Sequence, residues 1–306
     1  MKILIALPDN RYFLWQLLVQ FNNFTKFGYD SDVIYVVGIF NETKSPELVK
    51  IMSDSRFKNK IFTYNDTRKN PKYHSSLRPH ILSKYFEECG DTSGAYFYVD
   101  PDIVFTNYID FSKLLNDDYW YLSDTRSYID SKYIKSKSDE LLYYMCNIVD
   151  INKKIVECND DSAGGAQYLM KGISSKFWDK VYHDAESLFD YMVKTSNRYS
   201  PSSPIQAWTA DMWAVLWNAW KFNHKTKIDS GLDFSWATDH ISRWNECNIF
   251  HCAGVVDGKN SDYFYKGGYS NESPFKKNIK CSKDYCGFNY LKEIIDTENN
   301  FSEVIY

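Results

Sequence analysis

The chain has 306 residues, of which 44% are hydrophobic, 25% charged and 18% aromatic, and its formal net charge is −4. This is a globular composition in a chain long enough to bury a substantial core. The acidic balance, with a sequence pI near 5.9, excludes a wholly electrostatic nucleic-acid binder, and no apolar run of roughly 18 residues is present to span a membrane. In chain order, residues 2–7 read as a buried strand. Residues 11–27 follow with Phe13, Leu14, Leu17, Leu18, Phe21 and Phe24 at helical spacing and Gly28 as a stop. A second strand spans 32–38, and Ser45-Pro46 opens a short helix to about Ser53. Residues 60–64 form a third strand, 76–88 a helix, and an apolar β-rich run ends at Asp100. Further on, 119–124 is another strand, 137–149 a helix, 162–167 a glycine-containing segment after a loop, either a loop against a ligand or a turn entering a strand, and 174–195 and 208–222 are helices. Strands alternating with helices predict an α/β fold with a doubly wound, mostly parallel central sheet and flanking helices.

The residues that carry chemistry lie at the ends of these elements. Tyr96-Phe-Tyr-Val-Asp100-Pro-Asp102-Ile-Val-Phe places two carboxylates one residue apart where a strand ends, the edge at which open α/β sheets bind ligands. Two like charges so close call for a cation, and a hard ion such as Mg²⁺ or Mn²⁺ takes oxygen ligands and bridges to diphosphates. Asp-Pro-Asp as a plain turn is the competing reading. Asp9 and Asn10 follow the first strand directly, at the same edge or as a turn and helix cap. Arg78 opens the helix before the aspartates, and its guanidinium suits diphosphate or base-edge contacts. Gly164 and Gly165 permit close backbone approach to a ligand, with Gln167 just beyond. Asp211 sits in the first turn of the Trp-rich helix, where the dipole favours a carboxylate or a cap. His251 ends an apolar run, and Lys266-Gly267-Gly268 can approach phosphates while adjacent amides donate.

The aspartate stretch resembles the Asp-x-Asp motif of the GT-A nucleotide-sugar glycosyltransferases, and the later features fall in that clan's order over roughly residues 1–270. The resemblance implies a GT-A-like, Rossmann-related domain over 1–275, with 1–124 as the nucleotide-binding half, 125–275 as the sugar and acceptor half, and 276–306 as a C-terminal appendage. It implies that Asp100, Asp102 and His251 hold Mn²⁺ or Mg²⁺ on the diphosphate of a nucleoside-diphosphate sugar, with UDP the usual carrier. Asp9, Asn10, Arg78, Gly164, Gly165, Gln167, Lys266 and Gly267 are then expected around the donor, and Asp211 acts as base in an inverting reaction or orients the sugar in a retaining one. In retaining families a Pro-Trp pair follows such a lysine; Gly267-Gly268 stands there instead, so stereochemistry and single family stay open.

The acceptor is open among a glycan, a protein, a small molecule and a hydroxymethylated DNA base of a phage. Residues 56–84 carry a basic run, either solvated surface or a face for an anionic acceptor. The alternatives in other classes are a metal-dependent phosphodiesterase or nucleotidyltransferase and a carbohydrate-binding protein that uses the aromatics without metal. Seven scattered cysteines without an export signal favour reduced thiols in a cytoplasm, bacterial or of a virus-infected host cell. Cys247, His251, Cys252, Cys281 and Cys286 match no standard zinc spacing.

Overall fold

The computed structural model describes residues 1–90 and 93–305; the last residue of the expected 276–306 appendage lies outside them. The strands are β1 (Lys2–Pro8), β2 (Val33–Ile39), β3 (Ile61–Asn65), β4 (Ala95–Tyr98), β5 (Ile103–Phe105), β6 (Trp120–Asp124), β7 (Gly164–Lys171), β8 (Thr226–Ile228), β9 (Phe234–Trp236) and β10 (Ile249–His251). The helices are α1 (Arg11–Lys26), α2 (Pro46–Ser53), α3 (Leu77–Cys89), α4 (Arg126–Ile129), α5 (Ser131–Lys137), α6 (Asp139–Val149), α7 (Lys153–Cys158), α8 (Ser175–Thr195), α9 (Ala210–Lys221), α10 (Arg243–Glu246), α11 (Gly287–Asn300) and α12 (Ser302–Ile305). The α/β class expected from the sequence is the one observed. The chain forms two compact units, each discontinuous in sequence: Lys2–Thr63, Val99–Phe111 and the residues from Gly231 onward make one, and Tyr64–Tyr98 with Ser112–Ser230 make the other.

In the first unit β1 and β2 pair in parallel, from Ile3 opposite Val33 to Pro8 opposite Gly38. The interior of β1 is an unbroken buried run, Ile3 to Leu7, the pattern of a parallel strand covered on both faces. Asn10 caps α1 by accepting from the Phe13 amide at 3.1 Å. The apolar face of α1 is buried, and so are its polar Gln20 and Asn23. Those two side chains grip the segment around the aspartates. Gln20 Nε2 donates to the carbonyls of Asp100 at 2.8 Å and Ile103 at 3.1 Å. Asn23 exchanges hydrogen bonds with both backbone groups of Phe105. A three-stranded sheet has the order β5-β10-β9, with β10 antiparallel to β5 and parallel to β9. α11 lies on α1, tied by Lys26 to Glu293 and Asp296.

In the second unit the strand order is β4-β7-β6-β8. β7 is antiparallel to both β4 and β6, whereas β8 is parallel to β6. Helices α3, α8 and α9 pack beside one another, and Trp178, Trp213 and Trp217 are fully buried. Trp213 and Trp220 satisfy their indole N–H groups on the Ile129 carbonyl and the Thr226 hydroxyl.

Of the two readings of the glycine pair, the turn entering a strand is the one observed, and not a loop: Gly164 and Gly165 begin β7 and lie opposite Asp124 and Ser123. A Cβ on Gly164 would come within 2.5 Å of the Ser123 carbonyl oxygen, and one on Gly165 within 2.7 Å of Met212 Cε. The glycines allow close strand and helix packing, and the pairing register shifts next to them, where Ala166 has φ +65°, as at a β-bulge.

Candidate metal centre and a second carboxylate site

β4 stops at Tyr98, and Asp100-Pro101-Asp102 form the turn that leads into β5. The Gln20 and Asn23 side chains fix that turn from one side. On the other, β10 runs antiparallel to β5 with His251 opposite Ile103, and the Cys252 amide donates to the Asp102 carbonyl at 3.0 Å. The ladder thus carries an imidazole to the aspartates across more than a hundred residues of chain. His251 Nε2 lies 3.4 Å from Asp102 Oδ1 and 3.7 Å from Asp100 Oδ2. One donor atom from each of the three residues falls within 4.8 Å of the others, a span that a single ion can draw together. Trp236, opposite His251 on β9, stacks on the imidazole at 5.3 Å and 22° and holds its plane.

Asp102 is almost fully buried and Asp100 is half-buried. Burial by itself pushes the Asp102 carboxyl up, but the charges of Lys266 and His251 reverse this and hold it well below the usual carboxylate range. Lys266 Nζ donates to Asp102 Oδ2. Burial pulls the Lys266 ammonium down, but the Asp102 charge and hydrogen bond, together with Tyr12 and Cys252, raise it overall. The site therefore already balances its buried anion with a cation. His251 Nδ1 is buried without a hydrogen-bond partner, leaving Nε2 as the nitrogen aimed at the carboxylates. Two carboxylates and one imidazole form a mixed oxygen and nitrogen donor set that fits a divalent ion of the Mn²⁺ or Mg²⁺ type. The zinc alternative finds no cysteine here. All seven thiols are free, and among the described residues the one group of three ligands within reach of an ion contains no cysteine.

The remaining residues expected at a site fall in several places. Asp9 receives both the amide and the hydroxyl of Ser45, at 2.7 and 2.5 Å, and so fixes the N-cap of α2. Asn10 caps α1. Gly267 lies in a short turn over Lys266–Tyr269, where a Cβ would strike the Tyr265 ring. In the other unit, Gln167 is fully buried and its Oε1 accepts from the Ser123 hydroxyl, while its Nε2 has no partner.

Asp211, also in that unit, is buried in the first turn of α9. Tyr73 Oη lies 2.6 Å from Asp211 Oδ1 and 2.6 Å from the Trp208 carbonyl oxygen, so one phenolic proton serves two acceptors. Arg78 Nη2 donates to Asp211 Oδ2. Arg78, expected to contact a diphosphate or a base edge, also pairs with Asp211. Burial first, and then the Asp211 charge, raise the Tyr73 hydroxyl well above its ordinary value, so it stays a donor. Each Asp211 oxygen thus accepts one bond from this pair of donors. Sequence reading missed Gln20, Asn23, Trp236 and Tyr73. The one local signal was polar residues on the buried stripe of α1.

No family model and no curated protein matches the chain. Solved structures do resemble it. The apo structure of the bifunctional glycosyltransferase WbbM has a TM-score of 0.49 at 11% identity, covering 99% of this chain and 51% of that one. This chain thus spans about half the length of the WbbM chain. The galactosyltransferase LgtC, solved with donor and acceptor sugar analogues, has a TM-score of 0.46 at 11% identity, covering 99% of this chain and 100% of that one. The glycosyltransferase GlyE of Streptococcus pneumoniae has a TM-score of 0.43 at 9% identity, covering 99% and 64% respectively. Each of these three similar structures is a glycosyltransferase.

Proposed function

We propose that the chain is a metal-dependent glycosyltransferase that moves a sugar from a nucleoside-diphosphate sugar, with UDP as carrier, to a hydroxyl acceptor. The observation that carries the reading is the convergence of Asp100, Asp102, His251 and Lys266 at the end of β4. Asp100, Asp102 and His251 would hold Mn²⁺ or Mg²⁺. When bound, the ion supplies Lewis-acid stabilisation of charge on the departing diphosphate. Lys266 turns its ammonium from Asp102 to the diphosphate oxygens, where fixed positive charge favours the developing anion. Trp236 and the β5–β10 ladder keep the imidazole and the carboxylates from drifting apart. We assign Asp211 to a substrate hydroxyl, held in place by Tyr73 and Arg78; it takes the proton if the reaction inverts and orients the sugar if it retains.

The phosphodiesterase and nucleotidyltransferase reading commonly calls for two ions side by side. Among the described residues one cluster of three ligands is present, which favours a single ion. A metal-free sugar-binding protein has no use for a carboxylate pair beside a buried imidazole.

Calorimetry of UDP with Mn²⁺, on wild type and Asp102→Asn, tests the assignment. Mn²⁺-dependent UDP binding is expected in the wild type and lost in the variant, with near-ultraviolet circular dichroism unchanged. Equal binding in both would remove the metal site. Mn²⁺-dependent cleavage of phosphodiesters, with UDP-sugars untouched, would select the phosphoryl-transfer reading.

A further inference from the structure

Trp208 is 60% exposed in a protein that buries most of its other tryptophans. It lies in the single turn Ala207–Thr209 that leads into α9, three residues before Asp211. Its backbone is pinned, since its carbonyl oxygen receives the Tyr73 hydroxyl that also reaches Asp211. The Tyr128 ring stands 6.5 Å away and tilted by 31°. An aromatic plane is thus presented to solvent on a fixed support.

Beside this plane is a cleft lined by Arg126, Ser127, Asp130, Lys132, Tyr133 and Asp161, with Asp160 at its base. Tyr133 accepts a hydrogen bond from the Gln206 amide at 3.2 Å, so the cleft and the Trp208 turn share an anchor. The cleft lies at the carboxyl end of β6. Asp124 ends that strand and takes the Arg126 fork on both oxygens. Gly164 and Gly165 of β7 lie opposite Asp124 and Ser123, and Met212 of α9 closes against Gly165. Trp208, the cleft and Asp211 therefore occupy one corner of one unit.

The chemistry of this corner selects its ligand. Two cations, Arg126 and Lys132, face three carboxylates, Asp130, Asp160 and Asp161, and a fourth, Asp124, already neutralises Arg126. A phosphodiester or sulfated chain would be repelled. A neutral polyhydroxyl is suited: its apolar ring face covers an indole, and its hydroxyls donate to carboxylates and accept from guanidinium and ammonium groups. We propose that the acceptor is a neutral carbohydrate, seated with a sugar ring on Trp208 and its hydroxyls over the Arg126–Asp130–Asp161 cleft. This deepens, and rests on, the transferase reading.

The test compares full-length wild type with Trp208→Ala, Trp208→Phe and Asp161→Asn. Each is applied without metal or nucleotide to an array of neutral, sialylated and phosphorylated glycans, and to duplex DNA containing 5-hydroxymethylcytosine. UDP–Mn²⁺ calorimetry is run in parallel. Wild type is expected to retain neutral glycans only. Trp208→Ala should lose about tenfold in affinity, on the scale of one aromatic stacking contact, with Trp208→Phe keeping most of it and Asp161→Asn changing which glycans bind. UDP–Mn²⁺ binding should be unchanged in all three. Equal glycan affinity in Trp208→Ala, a preference for anionic glycans or DNA, or no neutral glycan retained by wild type would overturn the proposal. If glycan binding needs Trp208 but UDP–Mn²⁺ never binds, the transferase reading fails and the carbohydrate seat stands. If UDP–Mn²⁺ binds and Trp208 is irrelevant to glycans, the seat fails and the transferase reading stands.

Discussion

The Lys266 ammonium donates to Oδ2 of Asp102, a carboxylate whose side chain is 4% exposed, while Oδ1 of the same carboxylate faces His251 Nε2 at 3.4 Å. One buried anion is thus shared by an ammonium and an imidazole. On the proposed function, a divalent ion at Asp102 would compete with Lys266, and a diphosphate bound with the ion would give the displaced ammonium a new partner.

Lys266→Met should therefore change two quantities in opposite directions. Without metal the variant should lose about 3 kcal/mol of stability, because one partner of a buried pair is gone. Mn²⁺ should then raise its melting temperature more than that of wild type, while UDP affinity in the presence of Mn²⁺ falls at least about tenfold, a loss of roughly 1.4 kcal/mol. Melting curves with and without Mn²⁺, together with calorimetry, measure both; identical Mn²⁺ shifts in the two proteins would show that Lys266 does not guard the carboxylate.

His251→Ala removes the one nitrogen donor of the trio. Mn²⁺ affinity measured by calorimetry in the absence of nucleotide should drop by at least about tenfold, or roughly 1.4 kcal/mol. Unchanged affinity would make His251 a packing residue against Trp236.

Gln20→Leu tests the support beneath the metal turn. The variant keeps the volume but leaves the Asp100 and Ile103 carbonyls without their donor. Orphaning buried acceptors costs about 1–3 kcal/mol, and loosening a ligand's support weakens metal binding by roughly tenfold or more. Gln16→Leu is the matched control, because its amide donates to the Tyr12 carbonyl within the same helix and not to the Asp100 turn. The control should leave Mn²⁺ affinity alone; equal behaviour of the two variants would deny Gln20 its positioning role.

Asp211→Asn should lower single-turnover sugar transfer by about a hundredfold, within the range for a lost general base, while UDP–Mn²⁺ affinity barely moves. Tyr73→Phe should give a smaller loss, since Arg78 still holds the carboxylate. Near wild-type transfer with a lowered melting temperature would make Asp211 a structural partner of Arg78.

Two histidines away from the metal centre predict how stability depends on pH. Burial, then the nearby Lys84 charge, lower His80 to about 4, with Asp66 and Asp179 opposing and Arg68 adding to the effect. Burial lowers His224 in the same direction. A histidine held neutral in the fold takes up a proton more readily when unfolded, so its contribution is present above about pH 6.5 and lost as pH falls toward 4. Chemical denaturation from pH 7.5 to 4.5 should show this decline, and His80→Gln should flatten it; an unchanged slope would contradict the shift at His80.

The local sequence by itself determined the element types of the first half of the chain. Apolar runs of the right length made β1 and β2, helical spacing with Asn10 and Gly28 made α1, and Ser45-Pro46 started α2. It also marked Asp100 and Asp102 as paired carboxylates at a strand end, and the resemblance to the GT-A clan added His251 to them. Tertiary structure decided the rest. Whether Gly164-Gly165 would be a ligand loop or the start of a strand depended on the partner strand at Ser123–Asp124 and on Met212, none of which is near in sequence. Arg78 meets Asp211 because α3 and α9 bring together residues 133 apart in sequence. Gln20 looks like a polar flaw in an apolar stripe until the Asp100 turn folds over it. Periodicity and capping act over one or two helical turns and can be read from a few residues, whereas a hydrogen bond between side chains a hundred residues apart depends on which elements pack together, and no local pattern encodes that.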